Sequence, residues 1–260
     1  MTIIPARAAR RRQAARPPVA PWYRQVALLQ FACALAWLVY LVIYAEVLLR
    51  PTPAAGSVWW CMPGMSGHGP SRLAPSGWLA MWSLMLLAMT LPATLPAAQH
   101  VAANSFSRKR TRAVGIFSAV YLGTWVAFGL AADALLALLG RRHTDWLFAL
   151  ALAGAAAYEL TPFKRRALNR CHRTLALPPS GVRGIVSVAR FGWLHASGCL
   201  ASCWLGMLAM LLAPSAQPFV MATMTTAMTY ERLTRRPLTS VRRVATGYGA
   251  LAVTFLLAGA

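Results

Sequence analysis

The chain has 260 residues, of which 58% are hydrophobic and only 12% charged, against about 25% charged in an ordinary soluble domain. Its charge is lopsided, with 26 Lys and Arg against five acids, Glu46, Asp133, Asp145, Glu159 and Glu231, for a formal net charge of +21. The apolar balance excludes a water-soluble globular domain. No folded soluble domain is left to present a nucleic-acid-binding groove or aromatic platform.

The first 25 residues, beginning "MTIIPARAARRRQAARPP", are basic, carry prolines and lack an apolar run. They read as a disordered cytoplasmic arm attracted to anionic membrane lipid, not as a cleaved leader. Apolar segments of roughly 20 residues, enough to cross a hydrocarbon core of about 30 Å, follow near 26–48, 77–98, 114–139 and 191–213. Shorter ones lie near 146–162 and 244–260, and a threonine-rich one near 217–231. The expected fold is all-α: one transmembrane bundle over residues 26–260 with about seven spans.

Basic residues accumulate on the cytoplasmic side of membrane helices. With the N-terminus inside, the tail, the loop "SRKRTR", residues 161–190 and the stretch "RLTRRPLTSVRR" hold 6, 4, 7 and 5 of them, 22 of the 26. Arg50, Arg72, Arg141 and Arg142 remain outside. Removing the threonine-rich span would put residues 232–243 outside, so this pattern favours seven spans with the C-terminus out and residence in the inner, or plasma, membrane.

Soft donors recur along this layout. The outer loop 50–76 contains "WWCMPGMSGHG", which places Cys61, Met62, Met65 and His68 around a Pro63-Gly64 turn. The second span carries Met81, Met85 and Met89 at steps of four, on one helical face. The fifth carries His195, Cys199, Cys203 and Met207, again at steps of four, and the sixth carries Met221, Met224 and Met228. Antiparallel register sets Met81, Met207 and Met221 near the outer side and Met85, Cys203 and Met224 near the middle. Met89, Cys199 and Met228 come deeper, and His195 falls close to the inner surface.

Thioether and thiolate ligands select Cu(I) over harder cations. A step of four residues rises about 6 Å, too far for one helix to enclose an ion alone, so the stripes suit a series of low-coordinate positions shared between helices. Methionine also fills apolar gaps, and Ser197, Gly198, Ala201 and Ser202 form a surface on which helices can approach closely. A structural or assembly subunit without metal is therefore the alternative reading. A haem-bearing subunit is a second one, motivated by His100 and His195 near the inner side. Cys33 and Cys171 have no partner pattern. Glu159 and Glu231 stand at inner helix ends beside Lys164, Arg165, Arg232 and Arg235, where exposed ion pairing is expected. Asp133 stands toward the outer end of the third span, within reach of Arg141, Arg142 or His143. Paired carboxylates, a nucleophilic triad, a phosphate-cradling loop and zinc-protease spacing are all missing, so the chain does not read as an enzyme.

The motifs "MPGM", "MWSLMLLAMTLP", "YELTPFK" and "HASGCLASCW" occur in this order. Over about residues 58–235 the chain resembles a bacterial family of unknown function described as predicted metal-binding integral membrane proteins, one branch of which is linked to copper delivery to a tyrosinase. That resemblance implies a multi-spanning helical protein that handles copper for a cuproprotein. Against the family pattern, Thr90 follows Met89 in place of a second methionine, Glu159 replaces a glutamine, and Ser202 replaces a cysteine. Cys171 and Ala167 stand at the two positions of a cysteine pair.

Overall fold

The computed structural model describes residues 23–49, 75–138, 145–178, 181–212, 217–234 and 237–258. The outer-loop donors Cys61, Met62, Met65 and His68, the basic arm 1–22, and Arg141, Arg142 and His143 lie outside the described residues. All described regular structure is helical. The elements are α1 (Tyr23–Leu49), α2 (Pro75–Ala103), α3 (Arg110–Leu138), α4 (Asp145–Glu159), α5 (Pro162–Cys171), α6 (Gly181–Leu212), α7 (Gln217–Leu233) and α8 (Pro237–Ala258), with one 3-10 turn at Ser107–Lys109.

Each of the seven apolar segments coincides with a helix. Four of these, α1, α2, α3 and α6, are long and apolar enough to cross a membrane, or five spans if α4 and α5 count as one span broken by a 76° bend. The fourth segment stops as a helix of 15 residues and α7 has 17, while α8 carries Arg242 and Arg243 in its first two turns. The fifth segment, expected to begin at 191, begins ten residues earlier at Gly181.

Helices α2 and α6 form the centre. α2 packs against α1, α3 and α7, whereas α6 packs against α3, α4, α5 and α7, and α8 closes on α4 and α7. α1 is peripheral and presents Leu28, Phe31, Leu35, Leu38 and Val42 outward. An apolar face of that extent suits a hydrocarbon solvent rather than water.

Backbone geometry explains how α1 is held. Pro92 and Pro96 lie inside α2, and proline lacks the N–H that would bond four residues back. The carbonyl freed by Pro92 is that of Ala88. It accepts from the indole of Trp37 at 3.0 Å and from the Cys33 thiol at 3.4 Å, so α1 restores the bond that the proline removed. That gives Cys33 a structural place.

A second lock joins α2 to α3. Trp82 is fully buried and its Nε1 donates to the Trp125 carbonyl at 3.3 Å. Its ring rests directly on Gly129, where a Cβ would overlap the indole. Gly129→Ala is therefore expected to destabilise the protein by about 2–3 kcal/mol through overpacking. Gly123→Ala, where an added Cβ meets nothing within 4 Å, leaves the midpoint of thermal unfolding in detergent unchanged. Equal melting of the two variants would show that the Trp82 slot is not a tight contact.

Candidate metal centre

The site is built from the bend between α4 and α5 upward. The segment "YELTPFK" (Tyr158–Lys164) supplies a cap and a start signal. Thr161 is the N-cap of α5 and its side chain accepts from the Lys164 N–H at 3.3 Å, with Pro162 in the first turn, where a missing N–H costs nothing. Tyr158 donates to the Ala201 carbonyl at 2.6 Å, which pins the end of α4 to α6.

The bend turns Lys164 inward. Its Nζ donates to Glu159 Oε1 at 2.6 Å and to Glu231 Oε2 at 2.8 Å, and the three residues are 0%, 3% and 3% exposed. The expectation of exposed ion pairs at these acids is thus corrected: the 76° bend carries Lys164 into the bundle instead of along its rim, and α7 delivers Glu231 from the opposite side.

Two turns beyond Lys164 on the same face of α5 stands Cys171, also buried. Its Sγ would lie 3.3 Å from a Cβ at Gly198, so the glycine of "HASGC" makes the space that the sulfur fills. Gly206 does the same for Met224, whose Sδ would be 3.2 Å from the added Cβ. The small residues of α6 thus admit sulfur atoms as well as helices.

Donors converge on Cys199. Tyr121 Oη donates to its Sγ at 3.3 Å, Arg232 Nη1 donates to the same sulfur, and the side chains of Cys171 and His195 interact with it. Arg232, expected at an exposed helix end, is 8% exposed. Cys203 behaves differently, its thiol donating to the Cys199 carbonyl of its own helix at 3.0 Å. His195 is 5% exposed and lies 5.9 Å from the rings of Phe117, Tyr121 and Phe191. It interacts electrostatically with Cys199. His100 donates to the Leu175 carbonyl at 2.8 Å, an engagement that turns it toward the segment after α5.

Met81, Met85, Met89, Met207, Met221, Met224 and Met228 are buried in one core cluster with Cys171, Cys199 and Cys203. Contacts of Met224 with Gly206 and of Arg232 with Cys199 set α7 about one turn further along α6 than the sequence register gave. Met228 then stands near the level of Cys203, and Arg232 takes the level assigned to Met228. Among the described residues no three His, Cys, Asp or Glu side chains form a group able to hold a metal ion.

Sequence reasoning passed over Cys171, Arg232, Tyr121 and the Lys164 cluster. The Thr161-Pro162 helix start could have revealed α5, and a two-turn spacing from Lys164 would then have placed Cys171 on its inner face. Outside the spans, His172 is held below the ordinary imidazole range by partial burial first, then by the positive Arg232 and by His195, so the mouth beside Cys171 is electropositive.

Lys164→Met is expected to destabilise the protein by about 3–5 kcal/mol, because it leaves two carboxylates buried without their cation. The triple replacement Lys164→Met, Glu159→Gln, Glu231→Gln recovers most of that loss. Thermal unfolding in detergent reads both, and a lone Lys164→Met change with wild-type stability would refute the assignment.

A family model for PpoB2, described as a copper chaperone, matches residues 79–256. No curated protein and no solved structure matches the chain.

Proposed function

The chain belongs to the PpoB2 copper chaperone family, and from that premise we propose that it is a multi-pass inner-membrane protein that binds Cu(I) and hands it to a cuproprotein. The observation that carries this reading is the burial of eight methionine and three cysteine sulfurs in one core cluster. Cu(I) is the cargo. Soft sulfur ligands favour it, and sites of two or three ligands exchange it readily. The proposed ligands in the core are Cys199 with Cys171 and Cys203, followed by Met207, Met221, Met224 and Met228 of α6 and α7 and by Met81, Met85 and Met89 of α2. His195 serves at the end of the α6 stripe. Cys61, Met62, Met65 and His68 are proposed as the outer capture loop.

The proposed topology keeps seven spans, with the N-terminus inside, the C-terminus outside and the arm 1–25 against anionic lipid. The family match and the packing of α4, α7 and α8 among the longer helices support treating 26–260 as one membrane domain. Under this reading the protein is a carrier and not an enzyme. Ligand exchange needs no bond in a substrate to be broken, and a thioether releases copper without taking up a proton.

Cys203 argues for the second reading. A thiol bonded to its own helix carbonyl is what a small packing residue does, and a subunit whose sulfur only fills the core would look the same there. Anaerobic titration with Cu(I) against a competing chelator separates the two. Wild-type protein is expected to bind stoichiometrically, and Cys199→Ser with Cys203→Ser to lose that binding while still folding. Tyr121→Phe, which removes a partner of the Cys199 sulfur, lowers affinity about tenfold. Unchanged affinity in the double-serine protein would return the cysteines to packing.

A further inference from the structure

Beside the sulfur core lies a cavity of about 100 Å³ that the proposed function leaves unused. Its inner wall includes Cys171, His195 and Arg232, and its rim includes the exposed His172, Arg173 and Thr174. One buried group on that wall is incomplete: Nη2 of Arg232 has no hydrogen-bond partner. A buried guanidinium nitrogen without an acceptor is costly, and here it borders a space that a guest can enter. Arg232 and Arg173 make the space cationic, while Ala93, Ala97 and Phe191 give it an apolar side.

We propose that this cavity is an exchange port for an anionic thiol, a small carboxylate-bearing thiol or a cysteine displayed on an acidic surface. The carboxylate is met by Arg173 and Arg232, and the sulfur is brought to Cys171. The proposal rests on the copper-carrying reading above for its purpose but not for its geometry. When a thiolate-bound Cu(I) enters, the bond from copper to the incoming sulfur breaks as a bond from copper to Cys171 Sγ forms. The proton of the Cys171 thiol passes to the departing thiolate. Copper stays Cu(I), no electron moves, and the same step run backward unloads the protein. Cys171 packs on Gly198, next to Cys199, and shares its core cluster, so a metal accepted there is one ligand exchange from the central sulfur.

The port can be tested without copper. Apoprotein in detergent is treated with a sulfonate-bearing and with a trimethylammonium-bearing methanethiosulfonate of similar size, and labelling at Cys171 is read by peptide mass. The anionic reagent is expected to react faster by at least about tenfold. Arg173→Glu should reverse or erase that preference, and Thr174→Trp, which fills the mouth from an exposed position, should stop labelling by both reagents. Labelling that requires denaturation, or a faster cationic reagent, would overturn the proposal.

Copper transfer to a mercaptosuccinate acceptor, free or coupled to a large polymer, then separates the sources. Transfer to the free form alone points to a small thiol, and equal transfer to both points to a protein cysteine. Loss of transfer in Thr174→Trp with copper affinity intact supports the port, and undiminished transfer overturns it. Absence of copper binding in the wild type beside charge-selective labelling would instead defeat the copper reading and leave the port standing.

Discussion

The architecture turns on one buried ammonium. Lys164 bridges Glu159 and Glu231 and thereby ties the end of α4, the start of α5 and the end of α7 at a single point. Such a cluster contributes little net stability compared with an apolar replacement, because desolvating the charges offsets most of their attraction. What it fixes is direction. With Lys164 inward, the helical period puts Cys171 inward two turns later, and with Glu231 inward, its neighbour Arg232 is left beside Cys199. A shift of α5 or α7 along the bundle would leave a carboxylate unpaired, so their positions relative to α6 are sharply defined.

The small residues of α6 then do for sulfur what they do for helix contacts. Gly198 faces Cys171 and Gly206 faces Met224, each replacing a Cβ with room for a large, polarisable atom. The same principle appears at Gly129 beneath Trp82. Where the chain gives up side-chain volume, a bulky partner from another helix occupies it, and the contact stays close-packed.

Much of this was legible in the sequence. Seven apolar segments became seven helices, and their sulfur stripes all face inward because an amphipathic choice hardly exists in an apolar helix, leaving residue size and polarisability to mark the core side. What was not legible depends on a bend. Nothing in the periodicity of residues 146–171 says that the chain turns by 76° at Leu160 and Thr161, and without that turn Glu159, Lys164 and Arg232 read as ordinary surface charges. The depth of α7 was misjudged for a related reason. Register between antiparallel helices is set by which side chains bond, here Arg232 to Cys199, and a hydrophobic stripe alone tolerates a slip of one turn. Burial of Glu159 follows the same logic: an acid in the core is accommodated because Lys164 points at it.

The charge balance of the core bears on how a monovalent metal could travel through it. Among the described residues the buried charged ones are two acids, Glu159 and Glu231, and two bases, Lys164 and Arg232, so their fixed charges cancel. A Cu(I) ion held only by thioethers would bring an uncompensated positive charge into this environment, which is expensive at low dielectric. A Cu(I) ion bound to a cysteine thiolate is neutral and avoids that cost. The cysteine end of the α6 stripe is therefore suited to hold the metal, and the methionine positions of α6 and α7 to pass it on. Arg232 and Tyr121 both donate to the sulfur at that end, and such donors still leave it lone-pair density for a metal on the proposed route through Cys171.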